Sequence, residues 1–261
     1  GPEAGAGLRR VVDFVDVDSD KWAQYGARRR GLRGWLYRRE AQRLLAYERA
    51  VAAGSAASVF VSRAEAELFA ERAPEAADRL SWVENGVDTA YFNPRGPFAN
   101  PYAADTAPLV LTGAMDYWAN VDAAAWFATE IFPRIRAWRP AATFHVVGAR
   151  PTEAVRRLER LAGVHVTGAV ADIRPYLAHA QLAVAPMRVA RGIQNKVLEA
   201  MAMARPVLAT AKALEGLDLP CECRLCADGA EALAERAAAA LTHEGEIGPR
   251  NRDWVCRRYA W

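Results

Sequence analysis

At 261 residues and 52 % hydrophobic composition, the chain is long enough for one large or two small domains around a sizeable core. No run approaches the roughly 18 uninterrupted apolar residues of a membrane span, and the opening GPEAGAGLRR lacks the apolar centre of a signal peptide, so the cytoplasm is the expected compartment. A net charge of +3 is too small to imply a nucleic-acid partner.

The chain opens without methionine in a Gly/Ala-rich patch. It closes at Tyr259-Ala260-Trp261, directly after an amphipathic pattern over 250–259, so both ends read as cuts. Residues 11–15 form a short β pattern, followed by the acidic run Asp16-Val17-Asp18-Ser19-Asp20, which suits turn and helix-cap chemistry better than a metal site. Residues 26–49 read as one basic helix in which Arg28, Arg29, Arg30, Arg33, Arg38, Arg39 and Arg43 interleave with Trp35, Leu36 and Tyr37. Such a face either rests on an anionic membrane or, more commonly, is solvated while its Trp and Leu enter the core.

A second strand is expected over 59–61. Ser62 to Glu65 then makes a capping box for the next helix. Trp82-Val83 begins a third short strand, closed by the turn pair Asn85-Gly86, and the loose stretch 93–101 is the linker candidate, with a boundary near 90–105. Beyond it the pattern becomes regular. Apolar runs ending at Gly113, Gly148 and Gly168 are each followed by helical spacing, which predicts an open parallel sheet with helices on both faces. Asn120 is expected to cap a helix over 121–130 and Asp172 one over 173–180. Asp116, Tyr117 and Asn120 fall in the loop after Gly113.

The stretch 182–210 is one βαβ unit: apolar 182–185, a loop over 187–195, helical spacing at Val197, Ala200, Met201 and Ala204, an Arg205-Pro206 stop, and apolar 207–209. Its loop therefore lies at the carboxyl edge of a parallel sheet, where doubly wound folds bind ligands. Arg188 follows the strand, Gly192 permits close backbone approach, and the helix start presents unpaired N–H groups. Lys196 opposes the dipole in the first turn, by roughly 0.3–1 kcal/mol, unless an anion sits opposite it. Only Lys21, Lys196 and Lys212 are lysines, against 31 arginines, so the residue departs from the chain's own habit. Glu199, one turn on, either hydrogen-bonds hydroxyls such as a ribose diol or simply complements the dipole. Gly113 would bring backbone to the same edge.

Cys221, Cys223 and Cys226, with Cys256 far along, lack paired C-x2-C knuckles and read as reduced thiols. His145 and His165 sit inside strand patterns and read as packing residues. His179 and His243 likewise have no Ser or Cys motif around them. No P-loop, nucleophile elbow or GxGxxG is present.

The stretch from Gly192 through Gln194, Asn195, Lys196 and Glu199 to Ala202, followed by Arg205-Pro206-Val207, resembles the donor-site motif of family 4 glycosyltransferases with the GT-B fold. Glu84-Asn85-Gly86-Val87-Asp88, Thr112-Gly113 to Tyr117 with Asn120-Val121-Asp122, the run ending at Gly148, and Gly168 to Arg174 agree with it. With Val12 to Trp22 included, the chain looks most like the sugar transferases of exosortase (PEP-CTERM) exopolysaccharide systems. That resemblance implies an α/β, GT-B type fold: a partial amino-terminal, acceptor-side Rossmann-like domain over 1–95, a complete nucleotide-sugar domain over 96–249, and the start of a crossover helix over 250–261.

By the same analogy Arg188 and Lys196 hold the donor diphosphate and stabilise the leaving group. Glu199 holds the ribose, and Gly113 with the Gly192 loop supplies backbone contacts. The implied partners are a nucleotide-diphosphate-sugar and a glycan or lipid-linked acceptor, with retention of configuration, no metal or other cofactor, and peripheral contact at the inner membrane face. Two departures stand out. Many relatives carry a further glutamate eight residues before the second, where this chain has Arg191, which shifts sugar contacts to Gln194 or Asn195. Three short strands in about 90 residues also fall short of a full acceptor domain, so the chain is expected to bind a donor without turning it over. A nucleotide-sugar epimerase of similar fold and a non-catalytic membrane- or partner-binding module are the rival readings.

Overall fold

The computed structural model describes residues 9–190, 192–223, 225–242 and 245–261. Contacts divide the chain into two compact units, Gly1–Asn85 with Arg191–Ile193, and Gly86–Ala190 with Gln194–Trp261. The sequence-stretch at 93–101 thus falls inside the second unit.

In the first unit, β1 (Val11–Val15), β2 (Ala57–Phe60) and β3 (Leu80–Trp82) form a parallel sheet in that order. Phe14 stacks on Phe60 at 5.4 Å between centroids, and Phe60 lies 5.1 Å from Phe69, making the aromatic centre of a core completed by Val17, Ala52, Ala66 and Ala73. The basic stretch expected as one helix is two, α1 (Asp18–Arg28) and α2 (Gly31–Ala53). The chain reverses at Gly31, whose φ of +70° is left-handed. At Gly34 a Cβ would stand 2.0 Å from the Arg29 carbonyl, so only glycine lets the two helices close on each other.

The acidic run that leads from β1 into the first turn of α1 is held by buried polar pairs. Ser19 donates from N and Oγ to the Glu48 carboxylate at 3.0 and 2.5 Å, and Val17 N donates to Glu65 Oε2 at 2.8 Å. Burial pushes the Glu48 carboxyl above its ordinary value. Helix α3 (Arg63–Arg72) starts as expected, with Ser62 Oγ accepting from Glu65 N at 3.2 Å.

In the second unit six parallel strands run in the order β6 (Val164–Gly168), β5 (Ala142–Val147), β4 (Ala107–Thr112), β7 (Leu182–Ala185), β8 (Val207–Ala209), β9 (Leu225–Cys226). Every residue of β4 and β7 is buried, as a central parallel strand covered on both faces requires. The strand β9 had no counterpart in the sequence reading, because two residues carry no periodicity. The helices are α4 (Trp118–Trp126), continued through a π turn at Phe127–Ile131 into α5 (Phe132–Trp138), then α6 (Glu153–Arg156), α7 (Arg174–His179), α8 (Asn195–Ala202), α9 (Ala211–Leu214), α10 (Ala230–Thr242) and α11 (Ile247–Arg258). Phe127, Phe132 and Phe144 cluster at 4.6–6.5 Å under α4 and α5. The stretch expected to be a linker packs on α7: Arg174 lies over the Phe98 ring at 5.4 Å, and His179 Nε2 meets the Phe98 carbonyl at 2.8 Å. His145 stacks on His165 at 4.6 Å. Burial and that neighbour push the His145 imidazole down to about 4, so His145 packs inside the sheet face, whereas His165, which covers it, is itself exposed.

The strand-terminal glycines set the shape of the carboxyl edge. Gly113 N donates to Val147 O at 3.1 Å and Gly148 N to Gly168 O at 3.2 Å, bringing three strand ends together. A Cβ at Gly148 would stand 1.7 Å from the Gly113 carbonyl oxygen, an approach that no other residue tolerates. Gly168 differs: its φ is +71°, yet a Cβ there meets nothing within 4 Å. Gly148→Ala is therefore expected to cost about 3 kcal/mol or more, and Gly168→Ala about 1–2 kcal/mol from backbone strain alone, as measured by urea midpoints. Equal losses at the two positions would show that the close approach is not what constrains Gly148.

Candidate functional site

The carboxyl edge of the second unit is assembled by bonds between successive loops. Met115 N donates to Ala149 O at 2.8 Å and Thr152 N to Met115 O at 3.2 Å, tying the loop after β4 to the loop after β5. Thr210 Oγ1 donates to Met187 O at 2.6 Å, tying the loop after β7 to the end of β8. Across these ties the Lys196 side chain of α8 faces the Gly113 turn.

Lys196, in the first turn of α8, is the chemical centre of this edge. Its Nζ donates to Asn120 Oδ1 and lies 3.8 Å from Met187 Sδ. A Cβ on Gly113 would come within 2.8 Å of Asn120 Nδ2 and 3.5 Å of Lys196 Nζ, so glycine there, at φ +147°, leaves backbone open beside the ammonium. Burial pushes the ammonium down to about 8, against a smaller upward pull from Glu199, one turn along the helix. The same burial pushes the Glu199 carboxyl up, and Lys196 opposes that shift. A cation is being held in a site that disfavours its charge.

Asn120 does not cap a helix. The sequence placed it before a helix over 121–130, but α4 begins at Trp118 after Tyr117, and Asn120 lies buried in its first turn. From there Nδ2 donates to Ala114 O at 2.8 Å while Oδ1 accepts from Lys196, so its amide spans the Gly113 turn and the lysine. Two positions on, Asp122 takes Arg188 in a bidentate pair, Nε to Oδ2 at 3.0 Å and Nη2 to Oδ1 at 2.5 Å. The guanidinium also lies 5.1 Å over the Trp126 ring, and Asp122 raises its pKa further. The start of α4 thus positions Arg188 and Lys196. Asp122 as a partner of Arg188 was not foreseen: the two are 66 positions apart, and only the sheet order β4-β7 makes them neighbours.

Asp116 pairs with Arg150, Nε to Oδ2 at 2.5 Å, and Tyr117 is exposed. Gln194 is the residue before α8, and Asn195 opens it with an exposed side chain. Gly192 has a left-handed φ of +59° and groups with the first unit. Arg191, which stands where relatives carry a glutamate, and His243 lie outside the described residues. Among the described residues no group of three His, Cys, Asp or Glu side chains is arranged to hold a metal, and none of the four cysteines is in a disulfide.

The six-stranded parallel sheet, whose strand ends present a half-buried lysine, a paired arginine and a glycine turn, is an α/β sheet of the GT-B type, and its carboxyl edge is where such open sheets bind ligands. The family model of glycosyl transferases group 1 matches residues 107–243, more than half of the chain, and the chain belongs to that family. A search of curated proteins found no match. Among solved structures, Anabaena HepE in complex with UDP and glucose is 15 % identical with a TM-score of 0.70, over 98 % of this chain and 68 % of that one. Sucrose-phosphate synthase from Thermosynechococcus elongatus is 20 % identical with a TM-score of 0.70, over 96 % and 64 %. WaaG, a glycosyltransferase involved in lipopolysaccharide biosynthesis, is 18 % identical with a TM-score of 0.69, over 95 % and 70 %. At these identities the likeness is one of fold. The chain spans 59 % of the length of a glycosyltransferase from Rickettsia africae and 64 % of the sucrose-phosphate synthase.

Proposed function

We propose that this chain binds a nucleotide-diphosphate-sugar and belongs to an enzyme that transfers the sugar, with retention, to a glycan or lipid-linked acceptor in exopolysaccharide synthesis. The observation that carries the donor reading is Lys196: an ammonium pushed down to about 8 by burial, beside an open glycine turn at the ligand-binding edge of the sheet. A diphosphate supplies the charge that the site lacks. Arg188, its side chain 40 % exposed beside Asp122, is assigned to the same anion, since a guanidinium can present donors to a carboxylate and a phosphate together. Lys196, Arg188 and the amino end of α8 then bind the diphosphate more tightly as charge develops on leaving, which is the catalytic contribution assigned to them. These cations take the place of a metal. Glu199, half-buried with its carboxyl pushed up, is assigned to the ribose hydroxyls, and Gln194 and Asn195 to the sugar. The acceptor class and the exopolysaccharide role rest on the sequence resemblance.

No helix among the described residues is long and apolar enough to cross a membrane. Membrane contact is instead assigned to α2, where Leu32 and Trp35 are 79 % and 54 % exposed on a face that also carries Arg39 and Arg43. Vesicles containing anionic lipid are expected to float the chain at low salt, and Trp35→Ser together with Leu32→Ser to weaken flotation severalfold. Equal flotation with neutral vesicles would remove the electrostatic part of the assignment.

Calorimetric titration of UDP, GDP and ADP tests the donor site. One nucleotide should bind, and Lys196→Ala and Glu199→Ala should each weaken it by about 1 kcal/mol or more. Its pH dependence has a defined sign. Below pH 8 the lysine is already charged. Above pH 8 it must take up a proton to pair with the diphosphate, so affinity falls by up to about tenfold per pH unit, and Lys196→Arg removes that fall. A folded sample that binds none of the three nucleotides would overturn the donor assignment.

A further inference from the structure

Asn120 joins two loops of the second unit through a single side chain. Its Nδ2 donates to Ala114 O at 2.8 Å in the turn after β4, and its Oδ1 accepts from Lys196 Nζ on α8. The residue is 5 % exposed, so protein atoms rather than solvent fix both ends of the amide. A Cβ on Gly113 would stand 2.8 Å from Nδ2, so the amide also occupies the space that this glycine leaves. Its orientation is forced by chemistry: an ammonium can only donate, so the oxygen faces Lys196 and the amino group faces the carbonyl.

The same helical turn treats its two cations differently. Asp122 gives Arg188 a carboxylate in a bidentate pair, at 3.0 and 2.5 Å, whereas Asn120 gives Lys196 a neutral oxygen. The other groups around the ammonium, among the described residues, do not replace a counterion. Met187 Sδ, 3.8 Å away in the β7 loop, is neutral, and Glu199 on α8 pulls the lysine less strongly than burial opposes it. Asp122 is engaged by Arg188, and Asp116, in the turn after β4, by Arg150. The plain alternative is that Asn120 only ties the start of α4 to the turn. A tie explains the bond to Ala114 O. It does not explain why the group that reaches the ammonium is uncharged, when a carboxylate of the same size would pair with it more strongly.

We propose that Asn120 is the positioning residue that sets the charge of this edge: it holds Lys196 against the Gly113 turn through a neutral oxygen, which leaves the ammonium's charge to select an anionic ligand. The inference rests on the donor reading only in naming that ligand a nucleoside diphosphate. A carboxylate at this position would be a built-in counterion, and its repulsion of the phosphates would act at short range in a poorly solvated place.

The test applies two variants of nearly equal size, Asn120→Asp and Asn120→Leu, to the full chain, reading the titration of the Lys196 ε-carbon resonance and the calorimetric affinity for nucleoside diphosphate. In the free chain Asn120→Asp should raise the pH at which Lys196 titrates by about one unit or more, and Asn120→Leu should lower it by roughly half a unit or more. With the nucleotide that the unmodified chain binds, Asn120→Asp should weaken binding about tenfold or more at pH 7 and hold it level through pH 9. In Asn120→Leu the alkaline fall in affinity should begin below pH 8. A purely structural tie would weaken binding in both variants without moving the lysine in opposite directions. The unmodified chain adds a measurement that no variant's folding can disturb: the Asn120 side-chain amide resonances should shift as Lys196 loses its proton near pH 8. If no nucleotide binds while the lysine moves as stated, the donor reading fails and the role of Asn120 stands. A Lys196 titration unmoved by both substitutions, or Asn120 amide resonances indifferent to it in the unmodified chain, overturns the proposal.

Discussion

The desolvated ammonium of Lys196 is the constraint around which the second unit is arranged. A shift from 10.5 to about 8 disfavours the charged form by about 3 kcal/mol, comparable to a large fraction of a domain's net stability. The fold accepts that cost at one place, where the β7–α8 loop meets the turn after β4. Glu199 offsets part of it, and Asn120 Oδ1 accepts a hydrogen bond from the ammonium. A neutral oxygen offsets far less than an anion would, and the difference is binding energy held ready for a ligand.

Everything near that ammonium is set by backbone approach rather than by large side chains. Gly113 leaves space where a Cβ would press on Asn120, and Gly148 lets the β5 turn close onto the Gly113 carbonyl. The parallel order β5-β4-β7 then places the start of α4 opposite the start of α8. From that one helical turn Asn120 holds the lysine and Asp122 holds the arginine. The two cations differ in kind. Arg188 is charged and satisfied by a carboxylate, whereas Lys196 is charged and only partly satisfied, so the lysine is the stronger determinant of anion binding and the arginine an auxiliary one.

Much of this was legible from residue order. The runs ending at Gly113, Gly148 and Gly168, and the βαβ unit around Lys196, follow from local periodicity and became strands and helices at or near the expected positions. What local pattern could not carry was pairing across the sheet. Asn120 has the composition of a helix cap and sits where one belongs by sequence, yet its neighbour across the fold is Lys196, 76 positions away. Asp122 was hidden for the same reason. The basic stretch at 26–49 misled differently: continuous helix formers hid the break at Gly31, which exists because α1 and α2 must pass close enough for Gly34 to touch the Arg29 carbonyl.

The most direct test of Lys196 as the anion-binding cation is the titration of its own side chain. With only three lysines in the chain, selective carbon-13 labelling at the ε position gives three resonances, and Lys196→Arg assigns one of them. That resonance should titrate near pH 8 in the free chain and move to higher pH when a nucleoside diphosphate is bound, because the anion favours the ammonium. A nucleotide that binds while the Lys196 titration stays where it was would show that the phosphates lie elsewhere and would contradict the account.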